Sequence, residues 1–132
     1  APAPAPGGGA PLARLRDLPD FRVARHEVDP RGWAVVAADG RVIGEAQELL
    51  VDTARMRARY IDCDLDETAL GLERVDRHVL LPVERVDLDR DDKKVRVADL
   101  VASDFAGYPV YTGLPLGGDT MSRLEAAWQR RR

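Results

Sequence analysis

Residues 29–65, DPRGWAVVAADGRVIGEAQELLVDTARMRARYIDCDL, decide how this chain folds. Trp33 to Ala38 is an apolar run ended by Asp39-Gly40, a strong hairpin signal between two extended stretches. Val42 and Ile43 restart a strand, and Gly44 marks a bulge or a place where another backbone comes close. Gln47 to Val51 continues extended, and Asp52-Thr53 suits a turn. Arg57 to Leu65 then alternates, with Ile61, Cys63 and Leu65 on one face and Tyr60, Asp62 and Asp64 on the other. Cys63 therefore reads as a small core residue.

The same period continues outward. Asp66 to Thr68 reads as a turn and Ala69 to Leu72 as a short strand. His78 to Val86 is strand-like around Pro82, which belongs at an edge or bulge because proline cannot donate to a ladder. Val86 to Leu88 leads into the polar turn Arg90-Asp91-Asp92-Lys93, and Val95 and Val97 alternate beyond it. Upstream, Phe21, Val23 and Arg25 alternate as in a short strand, and Leu12 to Asp20 has room for a turn of helix before Pro19. About six short strands with turns every 8–12 residues predict a mainly β fold, a small barrel or sandwich.

The two ends differ. Ala1 to Pro11, APAPAPGGGAP, is a Pro/Ala/Gly-rich stretch expected to be extended or disordered, as a tether or as a plain tail. From Asp119 the period lengthens: Met121, Leu124, Ala127 and Trp128 make a helical stripe, which predicts a C-terminal α-helix from about Asp119 to Trp128. Ser122-Arg123-Leu124-Glu125 fits a capping box, and Arg130 to Arg132 fall where the helix dipole favours cations. These readings divide the chain into a tail over 1–20, a barrel over 21–98 and a post-barrel segment with its helix over 99–132.

A chain of 132 residues suffices for one domain, and 45% apolar with only 5% aromatic residues gives a core of Val, Leu, Ile and Ala. Its net charge of -3 lacks the basic excess of a bulk nucleic-acid binder. The charge is segregated: residues 1–61 net +1, 62–92 net -7 and 93–132 net +3. Faces of opposite sign would orient the domain against a partner or an anionic lipid surface, and an ordinary solvated barrel surface accounts for the same pattern. One cysteine excludes an internal disulfide. No run reaches the roughly 18 apolar residues of a membrane span, and no secretory signal pattern is visible.

Candidate chemistry is sparse. Asp62, Asp64, Asp66, Thr68, Leu70 and Glu73 fit the ligand spacing of an EF-hand calcium loop, but Glu67 stands where the loop's sharp turn needs glycine, and a strand precedes it. His26 and His78 are too few for a metal triad. A Ser-His-Asp set from Ser103 or Ser122 lacks any nucleophile-elbow motif, and the glycines at 7–9 have no strand before them to make a phosphate loop. The expectation is a chain with no catalytic residues and no bound metal. Asp104, Asp119 and Glu125 are carboxylates suited to relaying protons near a buried partner site, or simply to solvation.

These residues together resemble the PRC-barrel family, and within it the cytoplasmic domain of the H subunit of purple-bacterial photosynthetic reaction centres. Asp29-Pro30-Arg31-Gly32 followed by Val35 to Gly40 is similar to the opening of that barrel. Gly44, Leu50-Val51-Asp52, Arg59-Tyr60 and Leu80-Leu81-Pro82 are similar to its next strands. Val95-Arg96-Val97, Leu100 and then Asp104-Phe105-Ala106-Gly107-Tyr108-Pro109 resemble its Phe-Ala-x-x-Pro segment. The resemblance covers about residues 21–128. It implies a small PRC-type β-barrel and a non-catalytic subunit that caps the L and M subunits, stabilises the complex and shields the quinone sites. It implies proton delivery to the secondary quinone aided by Glu125, with Asp119 and Asp104 as further relay candidates. The family carries an acidic pair where this chain has Glu125-Ala126, so one carboxylate is retained.

Phe105, Tyr108, Pro109 and Trp128 are the expected partner contacts, with Trp128 equally suited to packing on its own barrel. The partners implied are L and M, a separate membrane-spanning H fragment and light-harvesting polypeptides, in a hetero-oligomer without nucleic acid. The location implied is peripheral, on the cytoplasmic face of the photosynthetic inner membrane. The chain itself would bind no cofactor; the complex would hold bacteriochlorophyll, bacteriopheophytin, quinone and non-haem iron. The alternative is a free-standing PRC-barrel adaptor for a protein or ribonucleoprotein.

Overall fold

The structure is a computed structural model, and it describes residues 11–18, 28–66 and 77–129. The strands expected around Phe21–Arg25 and Ala69–Leu72, His26, and nearly all of the Pro/Ala/Gly stretch lie outside the described residues. The described strands are β1 (Leu12–Arg14), β2 (Ala34–Val36), β3 (Val42–Asp52), β4 (Arg57–Leu65), β5 (His78–Pro82), β6 (Asp87–Asp89) and β7 (Lys94–Arg96), followed by the helix α1 (Gly118–Gln129). Short 3-10 turns cover Leu15–Asp17, Val83–Arg85 and Ala102–Gly107. The fold is mainly β, as the periodicity predicts. A three-residue strand and a 3-10 turn occupy the N-terminal stretch where a turn of helix was expected.

One sheet runs in the order β5-β4-β3-β2-β7-β6, with β1 added on β3, and it curls into a half-barrel. Neighbours pair antiparallel except β2 and β7, which are parallel. The connections follow local chemistry. Gly40 adopts φ 84 at the β2–β3 turn, where the Ala37 N–H donates to the Arg41 carbonyl at 2.9 Å. At the β3–β4 turn, Asp52 Oδ1 accepts the Ala54 and Arg55 amides at 2.9 and 3.1 Å, an Asx-type closure. Asp89 plays the same part between β6 and β7, accepting the Asp92 amide at 3.1 Å. Gly44 is a close approach: a Cβ there would collide with the Asp64 carbonyl oxygen of the neighbouring strand.

Val35, Ile43, Leu50, Ile61, Leu81 and Val95 are fully buried, and Cys63 sits among them. Both faces of β4 are covered, since Tyr60 and Asp62 are buried along with Ile61, Cys63 and Leu65. Pro82 ends β5 at the limit of the sheet path, the edge position its missing N–H requires. Leu100, Ala102, Phe105, Tyr108, Leu124 and Trp128 join the barrel residues in one continuous core. The helix begins at Gly118, four residues before Ser122, and the Met121 N–H closes its first turn on the Gly117 carbonyl at 3.1 Å. Ser122 and Glu125 are therefore interior helix positions, and the expected capping box is not formed.

Candidate functional site

After β7 the chain turns back over the barrel edge, and three aromatic rings tie it down. Phe105 and Tyr108 have ring centroids 5.1 Å apart, and Trp128 meets Tyr108 edge-on at 6.3 Å. The Tyr108 hydroxyl donates to the Leu80 carbonyl at 2.7 Å, and the Trp128 indole N–H donates to the Tyr108 oxygen at 2.6 Å. Burial pushes the Tyr108 phenol up, so it stays protonated and keeps donating. Every polar atom of this knot is thereby paired.

Phe105, Tyr108, Pro109 and Trp128, expected at a partner contact, are all buried in the chain itself, Trp128 to 2% exposure. The helical stripe identified Trp128 as apolar without showing that its own barrel would cover it. Tyr108 and Pro109 still line an open groove of about 650 Å³ between the 102–107 turn and α1, with Ser103, Asp104, Arg123 and Ala126, and Trp128 lines the cleft that holds Glu125.

The relay candidates do not converge. Asp104 is half-buried, and its Oδ2 accepts the Val101 N–H at 2.9 Å, which closes the 3-10 turn. Asp119 is exposed in the first turn of α1. Glu125 is exposed on α1 and lines a different cleft with Arg59, Tyr60 and Arg85.

Three buried carboxylates, Glu48, Asp52 and Asp62, escaped the sequence reading as a group. Glu48 accepts from Arg16 Nε at 2.8 Å and from the Leu49 amide at 2.9 Å, with Arg31 Nη1 at 3.5 Å. Arg31 also clamps Asp29 at 2.6 Å. Burial pushes the Asp29 carboxyl up, and the hydrogen bonds from Arg31 more than reverse it, leaving its pKa below the usual value. Asp62 Oδ1 meets His78 Nδ1 at 2.7 Å, and Asp64 lies 3.9 Å from His78 Nε2. Burial raises the Asp62 pKa, and the His78 hydrogen bond offsets only part of that. Arg16, Asp62, Asp64, His78 and Tyr111 line an open cleft of about 610 Å³.

Glu48 shares the face of Asp62, opposite to Ala46 and Cys63, because the β3–β4 register shifts between Ala46 and Glu48, and no residue type announces that shift. The Asp64–His78 pairing in the β4–β5 register sets Asp62 beside His78; alternation alone does not supply that register.

Asp62 and Asp64 lie in strand geometry, and Thr68, Leu70 and Glu73 of the calcium-loop pattern fall outside the described residues. Among the described residues, no group of three His, Cys, Asp or Glu is set to hold a metal ion. Burial pushes the Cys63 thiol up, which removes thiolate reactivity. No helix among the described residues is long and apolar enough to cross a membrane.

A curled half-barrel with one parallel β2–β7 pair defines a small β-barrel domain. The chain belongs to the PRC-barrel family: the profile of the PRC-barrel domain matches residues 27–101. The match ends just before Phe105, so the aromatic knot and α1 lie beyond it.

Proposed function

We propose that this chain is a non-catalytic subunit capping the cytoplasmic face of a type-II photosynthetic reaction centre. It docks on the L and M subunits, stabilises the complex and shields the quinone sites. The observation that carries this reading is the Asp104–Pro109 segment. Its sequence resembles the H subunit's post-barrel segment, and it packs with α1 as one module on the barrel edge. The groove beside it, with Asp104 and Arg123 on its walls, is the proposed docking surface for L and M. Glu125, exposed at the neighbouring cleft, is the residue proposed to assist proton delivery to the secondary quinone. The chain sits peripherally on the photosynthetic membrane and binds no pigment itself; the pigments, quinones and iron belong to its partners.

The test is recovery of partners from solubilised photosynthetic membranes with the tagged chain as bait. Bacteriochlorophyll absorption together with L and M peptides is the expected result. A captured pool free of pigment and membrane protein would sink the reading and leave the PRC-barrel adaptor in its place.

A further inference from the structure

Strand β4 carries opposite charge at its two ends. Arg55, Arg57 and Arg59 stand at the β3–β4 turn, while Asp62, Asp64 and Asp66 follow toward the far end. At about 3.3 Å per residue, the centres of the two groups, Arg57 and Asp64, lie roughly 20 Å apart, more than twice the ~8 Å screening length of physiological salt.

The structure treats these arginines differently from the others. Arg14, Arg16, Arg31 and Arg96 are each held by a carboxylate at 2.6–2.9 Å. Arg57, Arg59 and Arg85 form no ion pair among the described residues, and Arg59 lies over the Tyr60 ring, 5.7 Å from its centroid. Arg55 reaches Asp52 only loosely, at 3.8 Å, and its side chain is 69% exposed. The acids nearby are Asp52, buried and bound to the turn's own amides, and the exposed Glu84 and Glu125. In sequence, Gln129 at the rim of this patch is followed by Arg130, Arg131 and Arg132.

Met56 sits at the apex, between Arg55 and Arg57. It is 51% exposed and adopts φ 53, a left-handed conformation that glycine or asparagine fills with less strain. The turn therefore holds an apolar side chain outward where backbone geometry alone favours another residue.

We propose that the β3–β4 turn is a membrane-surface contact. Met56 enters the boundary of an anionic lipid layer, Arg55, Arg57, Arg59 and Arg85 meet the phosphate headgroups, and the aspartate end of β4 points away. A polynucleotide fits less well, because single strands are held on aromatic faces and Tyr60, the ring at this end, is buried. The inference does not rest on the reaction-centre reading, since a free-standing adaptor with this turn would bind the same vesicles.

The test is co-sedimentation of the full chain with phosphatidylglycerol-containing vesicles, against pure phosphatidylcholine vesicles, at low and high salt. The expected result is binding to the anionic vesicles alone, several-fold weaker at high salt. R57Q/R59Q should lower that affinity by roughly tenfold or more. M56G separates binding from folding: glycine suits this backbone, so the thermal midpoint should hold or rise while vesicle affinity falls. Equal binding to both vesicle types, no binding to the anionic ones, or R57Q/R59Q binding like the parent would each overturn the proposal. Capture of RNA or an acidic protein without vesicle binding would overturn it too, and assign the turn to that partner.

Discussion

The barrel and the segment that covers its edge are held by different physics. The barrel, from Trp33 to Val97, rests on ladder hydrogen bonds and branched aliphatic side chains, and many side-chain choices could fill such a core. The cover, from Leu100 to Trp128, has little regular backbone pairing before α1. It rests on three rings and two hydrogen bonds that need specific atoms. A distributed core tolerates substitution, whereas a knot of specific contacts does not. The two nevertheless share one continuous core, so damage to either should be felt by both.

Trp128→Ala is expected to have the largest effect. It empties a fully enclosed site and removes the donor to Tyr108, at a loss of about 3–5 kcal/mol. With one core, urea unfolding followed by far-UV circular dichroism should remain a single transition at lower urea. Two separated transitions would show that the cover folds independently of the barrel and would break the comparison.

Tyr108→Phe comes next. The ring packing survives, but the Leu80 carbonyl and the Trp128 N–H lose their partner in a buried setting, at about 1–3 kcal/mol. The urea midpoint measures this directly. A midpoint equal to the parent's would mean that ring packing alone fastens the cover, making it more like the barrel than the two hydrogen bonds indicate.

The same contrast governs what the sequence made legible. Period-two alternation, Asp39-Gly40, Asp52-Thr53 and the Arg90–Lys93 turn located the barrel, because strand period and turn chemistry are local properties. Gly44 was readable as a close approach for the same reason. The helix was readable from its stripe to within one residue at each end, but its capping box was misplaced, since Gly117 and Gly118 at its start carry no capping side chain. The direction in which Tyr108 and Trp128 face depends on where Leu80 lies, and no local pattern encodes that. Glu48 and the Asp62–His78 pair stayed hidden because they follow from a register shift and a strand pairing.

Asp62→Asn should have the smallest effect, one visible through pH. Burial raises the Asp62 pKa, with the His78 bond offsetting part of it, so the folded state holds this proton more tightly than the unfolded chain does. The resulting stabilisation is complete below the unfolded carboxyl value and is lost as pH rises through the higher folded value. Asp29, held low by Arg31, has the opposite sign: its contribution is present above the unfolded value and is lost as pH falls through the folded one. Asparagine at 62 removes the first dependence and leaves the second. Urea midpoints of parent and variant, taken from about pH 3 to about pH 7, should therefore favour the parent most at the acid end and shift toward the variant as pH rises. A shift in the opposite direction would mean that pairing with His78 outweighs burial, and that this carboxylate is as well satisfied as the hydroxyl of Tyr108.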